Sequence, residues 1–468
     1  MLREIAAYPD EPVAKPGLDV PDIAQLARLG AEAMQLIGRY DHVTRLPNRV
    51  EFLEHFAELR GRRGEDRILV LVTLADSRHY SEIQRALGHT FADDFIRAGA
   101  GTIGKLLPPD VTLYHVNALS VAFVIAVDPG ETIPAIVEDI ATTFSQPLYC
   151  DDIPIRTRVG TGLLPLRDDV TDGAEALRAT LAAALDSHNV AAGFAFYNHR
   201  TDAAQIRAFR LLTDLPAALS ASDQLSLHFQ PRVELATGRC LGAEALLRWN
   251  HPQLGPISPG EFVPLAEQTS FITPLTDWVF DTALTHARRF SDIGHPLRMS
   301  VNASPLNLSE HGFDERLLDL CLLHGVGPEQ MELEFTEGVL ASDSARTTGH
   351  LERLRAAGME VSIDDFGSGY SNLSYLMRIP ADVLKIDQSF IKAMGTPQND
   401  FLVRQIITLA KGFGLRICAE GIETANTYNA LAAMQCDEGQ GYLMARPMPA
   451  PAFEKWFART LRTPFTTA

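Results

Sequence analysis

Cysteine is scarce and scattered. The five in 468 residues (Cys150, Cys240, Cys321, Cys418, Cys436) are odd in number and form no CxxC pair. That argues against a disulfide framework or a zinc site and fits a reduced, cytoplasmic setting. Long apolar runs are missing too. ILVLV at 68–72 and VAFVIAV at 121–127 fall far short of the roughly 20 residues a membrane-spanning helix needs. The opening MLREIAAYPDEP carries charges and a proline where a signal peptide needs an apolar core, so no membrane or targeting segment is expected. Positive charge is in deficit, with 41 Lys and Arg against 59 Asp and Glu and a formal net charge of -18. This excludes a surface built to coat a nucleic-acid polymer and offers no attraction to anionic lipid. An anionic ligand would need a local device such as metal ions.

What is present describes an ordinary globular chain, 46% hydrophobic and 21% charged, long enough for two to four domains. Residues 1–20 are rich in Pro and Asp and read as a loose leader. From Asp22 to Tyr40, Ile23, Leu26, Leu29, Ala33, Leu36, Ile37 and Tyr40 recur at helical spacing. Such a helix packs on its own domain, or serves signalling or dimerisation. Residues 41–199 alternate β-rich runs (LVLVTLAD at 69–76, TLYHVNA at 112–118, SVAFVIAV at 120–127, IRTRVGTGLLPL at 155–166) with helical patterns near 47–60, 80–107, 131–146 and 172–187. This predicts an α/β sandwich. Residues 200–223, with Ile206, Phe209, Leu212, Leu215 and Leu219 at helical spacing, form a connecting helix. A last domain follows over 224–462.

The last domain is organised around Met359–Asp387, where an apolar strand ends on two neighbouring carboxylates, Asp364 and Asp365. Burying that pair without a counter-charge would cost several kcal/mol. Seven apolar runs there close on a polar residue: CLGAEALLRW, RMSVNAS, MELEFTE, EVSIDDFG, VLKID, RICAEGIE and QGYLMARP. The terminal residues are Glu244, Asn302, Glu334, Asp364 with Asp365, Lys385, Glu420 and Gln440. Strand–helix units at these intervals predict a TIM-type barrel, whose functional groups collect at strand C-terminal ends. Singly, each residue has a plain account as a cap, a turn or a surface charge. Together, Glu244, Asn302, Glu334, Asp364 and Asp365 would make a negative cavity of oxygen ligands, which calls for hard divalent cations such as Mg²⁺ or Mn²⁺. Two close metals point to attack of an activated water on a phosphoryl group.

Two family resemblances follow from quoted motifs. DHVTRLPNRVEFLEHF at 41–56 and LGHTFADDF at 87–95 resemble the GGDEF domain of diguanylate cyclases. Its signature hairpin falls on Leu119, Ser120, Val121, Ala122 and Phe123, of which only Phe123 matches; Asp76 stands where the first metal aspartate falls, and the RxxD motif is absent from 110–113. That pattern implies a degenerate, regulatory or dimerising domain, with room for GTP or another nucleotide. The second half resembles the EAL family of cyclic di-GMP phosphodiesterases through EALLRW (244–249), EFTE (334–337), DDFGSGYSNL (364–373), KID (385–387), AEGIE (419–423) and QGY (440–442).

The resemblance implies a fold, a GGDEF-like α/β sandwich (nucleotidyl-cyclase-like) followed by an EAL-type modified TIM barrel, and assigns roles. Glu244, Asn302, Glu334 and Asp364 would hold one metal, and Asp364 and Asp365 share the second. Lys385 would orient the attacking water, Glu420 act as general base, and Gln440 lie against metal-bound water. Arg248 would grip a phosphate, Gln230 and Leu246 line the guanine and phosphate groove, and Pro447 flank a base. Glu337 would hold the loop 366–376, with Gly367 and Gly369 lending it freedom to gate. The implied reaction is hydrolysis of cyclic di-GMP to pGpG with two Mg²⁺ or Mn²⁺ ions, in a homodimer. The alternative is a catalytically silent cyclic di-GMP receptor; a cyclase is the third reading.

Overall fold

The computed structural model describes residues 38–61, 66–127, 133–188, 190–292, 294–336, 345–367 and 379–466. The expected leader, nearly all of the helix expected over Asp22–Tyr40, Glu337, Gly369 and most of the loop 366–376 lie outside these residues. The chain divides into two compact units between Gln205 and Ile206.

In the first unit, β1 (Arg67–Thr73), β2 (Tyr114–Asn117), β3 (Ser120–Ala126), β6 (Gly160–Pro165) and β7 (Phe194–Phe196) form one sheet in the order β2-β3-β1-β6-β7. β4 (Leu148–Cys150) and β5 (Ile153–Ile155) make a separate hairpin. β1 is apolar from Ile68 to Val72 because both its faces are covered. Ile68, Val70 and Val72 enter one core while Leu69 and Leu71 enter the other, as the two-residue period of a strand requires. The single helix expected over 80–107 is two, Ser77–Leu87 and His89–Leu106, broken at Gly88 with φ 86°. The residues matched to the signature motif, Leu119–Phe123, lie in the hairpin between β2 and β3. Its turn is Ala118–Leu119, with Asn117 opposite Ser120, and Ser120–Phe123 are buried strand.

In the second unit the strands are β8 (Leu225–Glu234), β9 (Cys240–His251), β10 (Gly255–Ile257), β11 (Arg298–Asn302), β12 (Met331–Thr336), β13 (Glu360–Phe366), β14 (Val383–Ile386), β15 (Arg416–Ala419), β16 (Glu438–Gly439) and β17 (Met448–Pro449). β9, β11, β12, β13, β14, β15 and β16 run parallel in that order, and β8 closes the ring by pairing antiparallel with both β9 and β16. The barrel therefore departs from an all-parallel one at a single strand. Two expectations need correction. Glu244 stands within the long ribbon strand β9 rather than at its end. QGYLMARP is no strand, since β16 stops at Gly439 and Gln440 begins the turn that follows.

The lower barrel interior is filled by charge in equal amounts, Arg232, Arg298 and Arg416 against Glu332, Glu360 and Glu438. Arg232 reaches Glu332 at 2.7 Å and Glu438 at 2.6 Å, Arg298 reaches Glu360 at 2.9 Å, and Arg416 reaches Glu438 at 2.6 Å. Arg232, Glu332 and Glu438 are essentially inaccessible to solvent. Guanidinium forks suit this work because each serves two carboxylates. Outside the barrel wall, Asp314 on helix Phe313–His324 pairs with His350 and Arg353 of helix Ala345–Ala356. Burial would raise the Asp314 carboxyl, yet Arg353 and His350 bring it from the ordinary 3.8 to about 2.

Two outcomes follow for stability. Replacing Arg232 with Met leaves fully buried Glu332 without its nearest cation, the remaining one being Arg298 at 3.9 Å, while Glu438 keeps Arg416; it should cost the barrel about 3–5 kcal/mol in a urea titration, and a loss below 1 kcal/mol would show the layer to be self-sufficient. A carboxylate with a depressed folded pKa stabilises above its unfolded pKa and ceases to do so as pH falls through the folded one. The window here is pH 3.8 down to about 2, so Asp314→Asn should lose stability less steeply there than wild type; parallel slopes would contradict the assignment.

Candidate metal centre and substrate groove

Strand geometry brings the carboxylates together. Glu244 on β9, Asn302 on β11, Glu334 on β12 and Lys385 on β14 project into the barrel, with Glu420 following β15 and Gln440 following β16. Asp364 and Asp365 need a further device, because neighbours on a regular strand face opposite ways. A bulge interrupts the β13–β14 pairing between Ile363 and Phe366, and Asp365 takes a left-handed φ of 52°. Bulges re-aim side chains, and Asp tolerates this backbone region. Both carboxylates thus reach the same groove.

One ammonium faces four carboxylates. Lys385 Nζ is 2.8 Å from Glu334 Oε2, 2.8 Å from Glu420 Oε1, 2.9 Å from Asp364 Oδ1 and 3.7 Å from Glu244 Oε2. Gln440 Nε2 donates to Glu244 Oε2 at 2.6 Å and Glu420 Oε1 at 3.0 Å. Asn302 Nδ2 donates to Glu244 Oε1 at 3.1 Å and Glu334 Oε2 at 3.4 Å. For Glu244, burial works upward, but Lys385, Gln440 and Asn302 outweigh it and hold the carboxyl below its usual range. Burial, with Glu244 and Asp364 nearby, lifts Glu334 well above that range despite Lys385. Burial lifts Glu420 to about 8, against the pull of Lys385, and lifts Asp365 to about 6 with help from Asp364. Burial works against the Lys385 charge, yet the carboxylates keep it protonated far above 10.5.

These residues fit divalent cations. Carboxylate oxygens of Glu244, Glu334 and Asp364 lie within 4.8 Å of one another, and so do those of Asp364, Asp365 and Glu420, so Asp364 is common to two clusters. Gln440 Oε1 is buried and accepts no hydrogen bond among the described residues, and neither does Glu334 Oε1, although Arg232 Nη1 lies 3.5 Å from it. Buried oxygens in that state are costly unless something positive meets them. Asn302 turns its NH₂ toward the carboxylates, and a half-turn of the amide presents Oδ1 instead. The lower layer of the barrel balances its charges, whereas this upper layer does not.

Above the cluster lies a groove of ≈330 Å³ lined by Gln230, Glu244, Leu246, Arg248, Asp364, Asp365, Glu420, Gln440 and Pro447. Glu334 and Lys385 lie buried against its floor through their contacts to these carboxylates, and Asn302 lines an adjoining cavity. Glu337 lies outside the described residues. Arg248 has no ion-pair partner among the described residues; its Nη1 donates to the Leu247 carbonyl at 2.7 Å. Gln388, Lys392, Glu423 and Tyr442 also line the groove and were not singled out from sequence. For three of the four the signal was adjacency: Gln388 follows KID, Glu423 closes AEGIE and Tyr442 closes QGY; Lys392 adjoins no motif. In the first unit, Asp76 caps helix Ser77–Leu87 by accepting from His79 N at 2.8 Å, and the hairpin tip Asn117–Ser120 bears no carboxylate.

Comparison with known proteins agrees with this geometry. The model of the EAL domain matches residues 213–447, and that of the diguanylate cyclase GGDEF domain matches 39–186. The chain is 38% identical over 438 residues to the cyclic di-GMP phosphodiesterase PA2567 of Pseudomonas aeruginosa, spanning 93% of this chain and 74% of that protein. It is 33% identical over 431 residues to the bifunctional diguanylate cyclase/cyclic di-GMP phosphodiesterase MucR of the same organism, covering 91% of this chain but 62% of the relative. A solved PaMucR phosphodiesterase complex with c-di-GMP is 41% identical, has a TM-score of 0.50, and covers 52% of this chain and 99% of its own. With its carboxylate-lined barrel mouth and these matches across both units, the chain belongs to the EAL-domain family, in the arrangement that carries a GGDEF domain ahead of the EAL domain.

Proposed function

We propose that this chain is a cyclic di-GMP phosphodiesterase that hydrolyses one phosphodiester of cyclic di-GMP to linear pGpG. The observation that carries the reading is the charge deficit at the barrel mouth, four carboxylates around a single ammonium, beneath a groove that presents the unpaired Arg248. EAL phosphodiesterases depend on divalent metal in general. In this chain Glu244, Asn302, Glu334 and Asp364 would hold one ion, and Asp364 with Asp365 the second, both Mg²⁺ or Mn²⁺. Bound there, the ions would polarise the phosphoryl oxygens and favour ionisation of water.

The chain's own residues do the remaining work. Lys385, in contact with Glu334, Glu420 and Asp364, orients the water and the carboxylates around it. Glu420, which follows β15 and lines the same groove, accepts a proton from the attacking water. The water oxygen bonds to phosphorus as the bond to the ribose 3′ oxygen breaks, and that oxygen leaves and takes up a proton. Arg248 grips a phosphate with its forked donors, Gln230 and Leu246 line the base and phosphate groove, Pro447 flanks a base, and Gln440 lies against bound water. Glu337 holds the loop after Asp365. The first domain, over 41–199, is regulatory rather than synthetic, takes GTP or another nucleotide, and connects through 200–223 to the catalytic domain at 224–462, after a leader and helix over 1–40. The protein works as a cytoplasmic homodimer. No helix among the described residues is long and apolar enough to cross a membrane.

Purified protein given cyclic di-GMP with Mg²⁺ or Mn²⁺ should yield pGpG on chromatography, and Glu244→Ala should lower turnover by more than about a hundredfold, beyond what losing an outer partner of a metal ligand costs. Tight binding with no product would move the reading to a receptor, and cyclic di-GMP made from GTP would overturn the regulatory role of the first domain. Metal should also register without substrate. At a hundred times its Kd, Mn²⁺ should stabilise the barrel by about 2.7 kcal/mol, seen as a raised Tm. Asp364→Asn should remove most of that shift, and a wild-type Tm indifferent to Mn²⁺ would count against the ligand set.

A further inference from the structure

Two glycines follow the groove's carboxylates closely, Gly367 two residues after Asp365 and Gly421 directly after Glu420. Both take left-handed backbone, with φ 97° and 70°. Both also press against one short helix, Gln388–Lys392. A Cβ on Gly367 would stand 2.5 Å from Phe390 Cε2 and 2.7 Å from its Cζ, and one on Gly421 would stand 2.6 Å from Gln388 Cβ. No side chain fits at such range, so the helix meets bare backbone in both loops. Its last residue, Lys392, adds an ion pair to Glu423 at 3.2 Å.

Neighbouring residues of this helix face different surroundings. Ile391 is buried in the core, whereas the half-buried Phe390 packs at the edge of that core and lays its ring on Gly367. The ring thus adjoins the exit from the β13 bulge. Pairing with β14 holds Ile363 against Leu384 before the bulge and Phe366 against Ile386 after it, and the chain then turns at Gly367. Asp365 lies between, in a backbone region that persists only where its surroundings impose it.

We propose that Phe390 is a positioning residue for the second metal ion: its ring, seated on Gly367, blocks the bulge from relaxing and so keeps the Asp365 carboxylate turned into the groove. The inference rests on reading the barrel mouth as a two-metal site and names what keeps its second half assembled. Glu244, Asn302 and Glu334, assigned to the first ion, ride on β9, β11 and β12 and owe nothing to this contact. Removing the ring therefore affects the two ions unequally.

The test is a Mn²⁺ titration of the full chain without substrate, read by calorimetry, with electron paramagnetic resonance to detect coupling between ions about 3.5–4 Å apart. Wild type should bind two ions and show the coupled pair. Phe390→Ala should keep the first ion and weaken the second by roughly 10–100-fold, the usual loss when a partner that orients a metal ligand is removed. Phe390→Leu keeps apolar bulk over Gly367 and should recover most of that loss. Ile391→Ala, on the same helix but facing the core, should lower Tm and leave both affinities unchanged. Gly367→Ala drives a Cβ into the ring and should repeat the selective loss, which keeps the contact testable if Phe390→Ala does not fold. Two unchanged affinities in either folded variant of the contact, or an equal loss of the second ion in Ile391→Ala, would overturn this inference alone. A wild type that binds fewer than two ions would overturn it together with the two-metal reading.

Discussion

The Lys385 ammonium is the contact on which the mouth of the barrel depends. It touches carboxylates carried by β12 and β13 and by the residue after β15, and approaches a fourth on β9. One side chain thus restrains the C-terminal ends of several strands. It is fully buried, which for a lysine is costly unless opposite charge surrounds it. Its single charge holds the cluster together without neutralising it. Stability and function pull apart here, because an additional basic side chain would settle the cluster and leave no place for a metal.

The contrast between the two interior layers explains why the barrel tolerates so much charge. Below, three arginines meet three glutamates through forked, repeated contacts, and the layer is electrically complete. Above, carboxylates outnumber cations, four around Lys385, even with Arg232 Nη1 3.5 Å from Glu334 Oε1. The lower layer acts as a polar plug that packs the barrel floor. The upper layer is held open by the same strands, so its geometry is inherited from a rigid base rather than from a loop.

Departures from regular geometry coincide with the chemistry. β8 runs against its neighbours, which places Gln230 across from Glu244 on β9. The bulge at Asp365 breaks the alternation that would otherwise send one of two adjacent aspartates away from the groove. Strain of this kind persists where the surroundings impose it, and it gathers at working sites.

Much of this was legible in the chain. Apolar runs closing on Glu244, Asn302, Glu334, Asp364 and Lys385 announced a barrel with acids at one end, because strand period and burial leave their mark on neighbouring residues. Motif spacing separated the two domains for the same reason. What was misjudged depended on pairing. The helix break at Gly88 is set by a backbone angle, and the end of β16 by contact with β8 and β15. Arg232 and Phe390 drew no notice, since a lone charged residue in a strand or an apolar one in a helix carries no local signature. The sequence by itself determined which donor atoms exist and on which elements they ride. Only the tertiary structure decided that Lys385 is outnumbered, that Arg232 sits in a balanced layer, and that Phe390 lies against Gly367. Charge balance and packing contacts are set by residues far apart in the chain, and no local pattern records them.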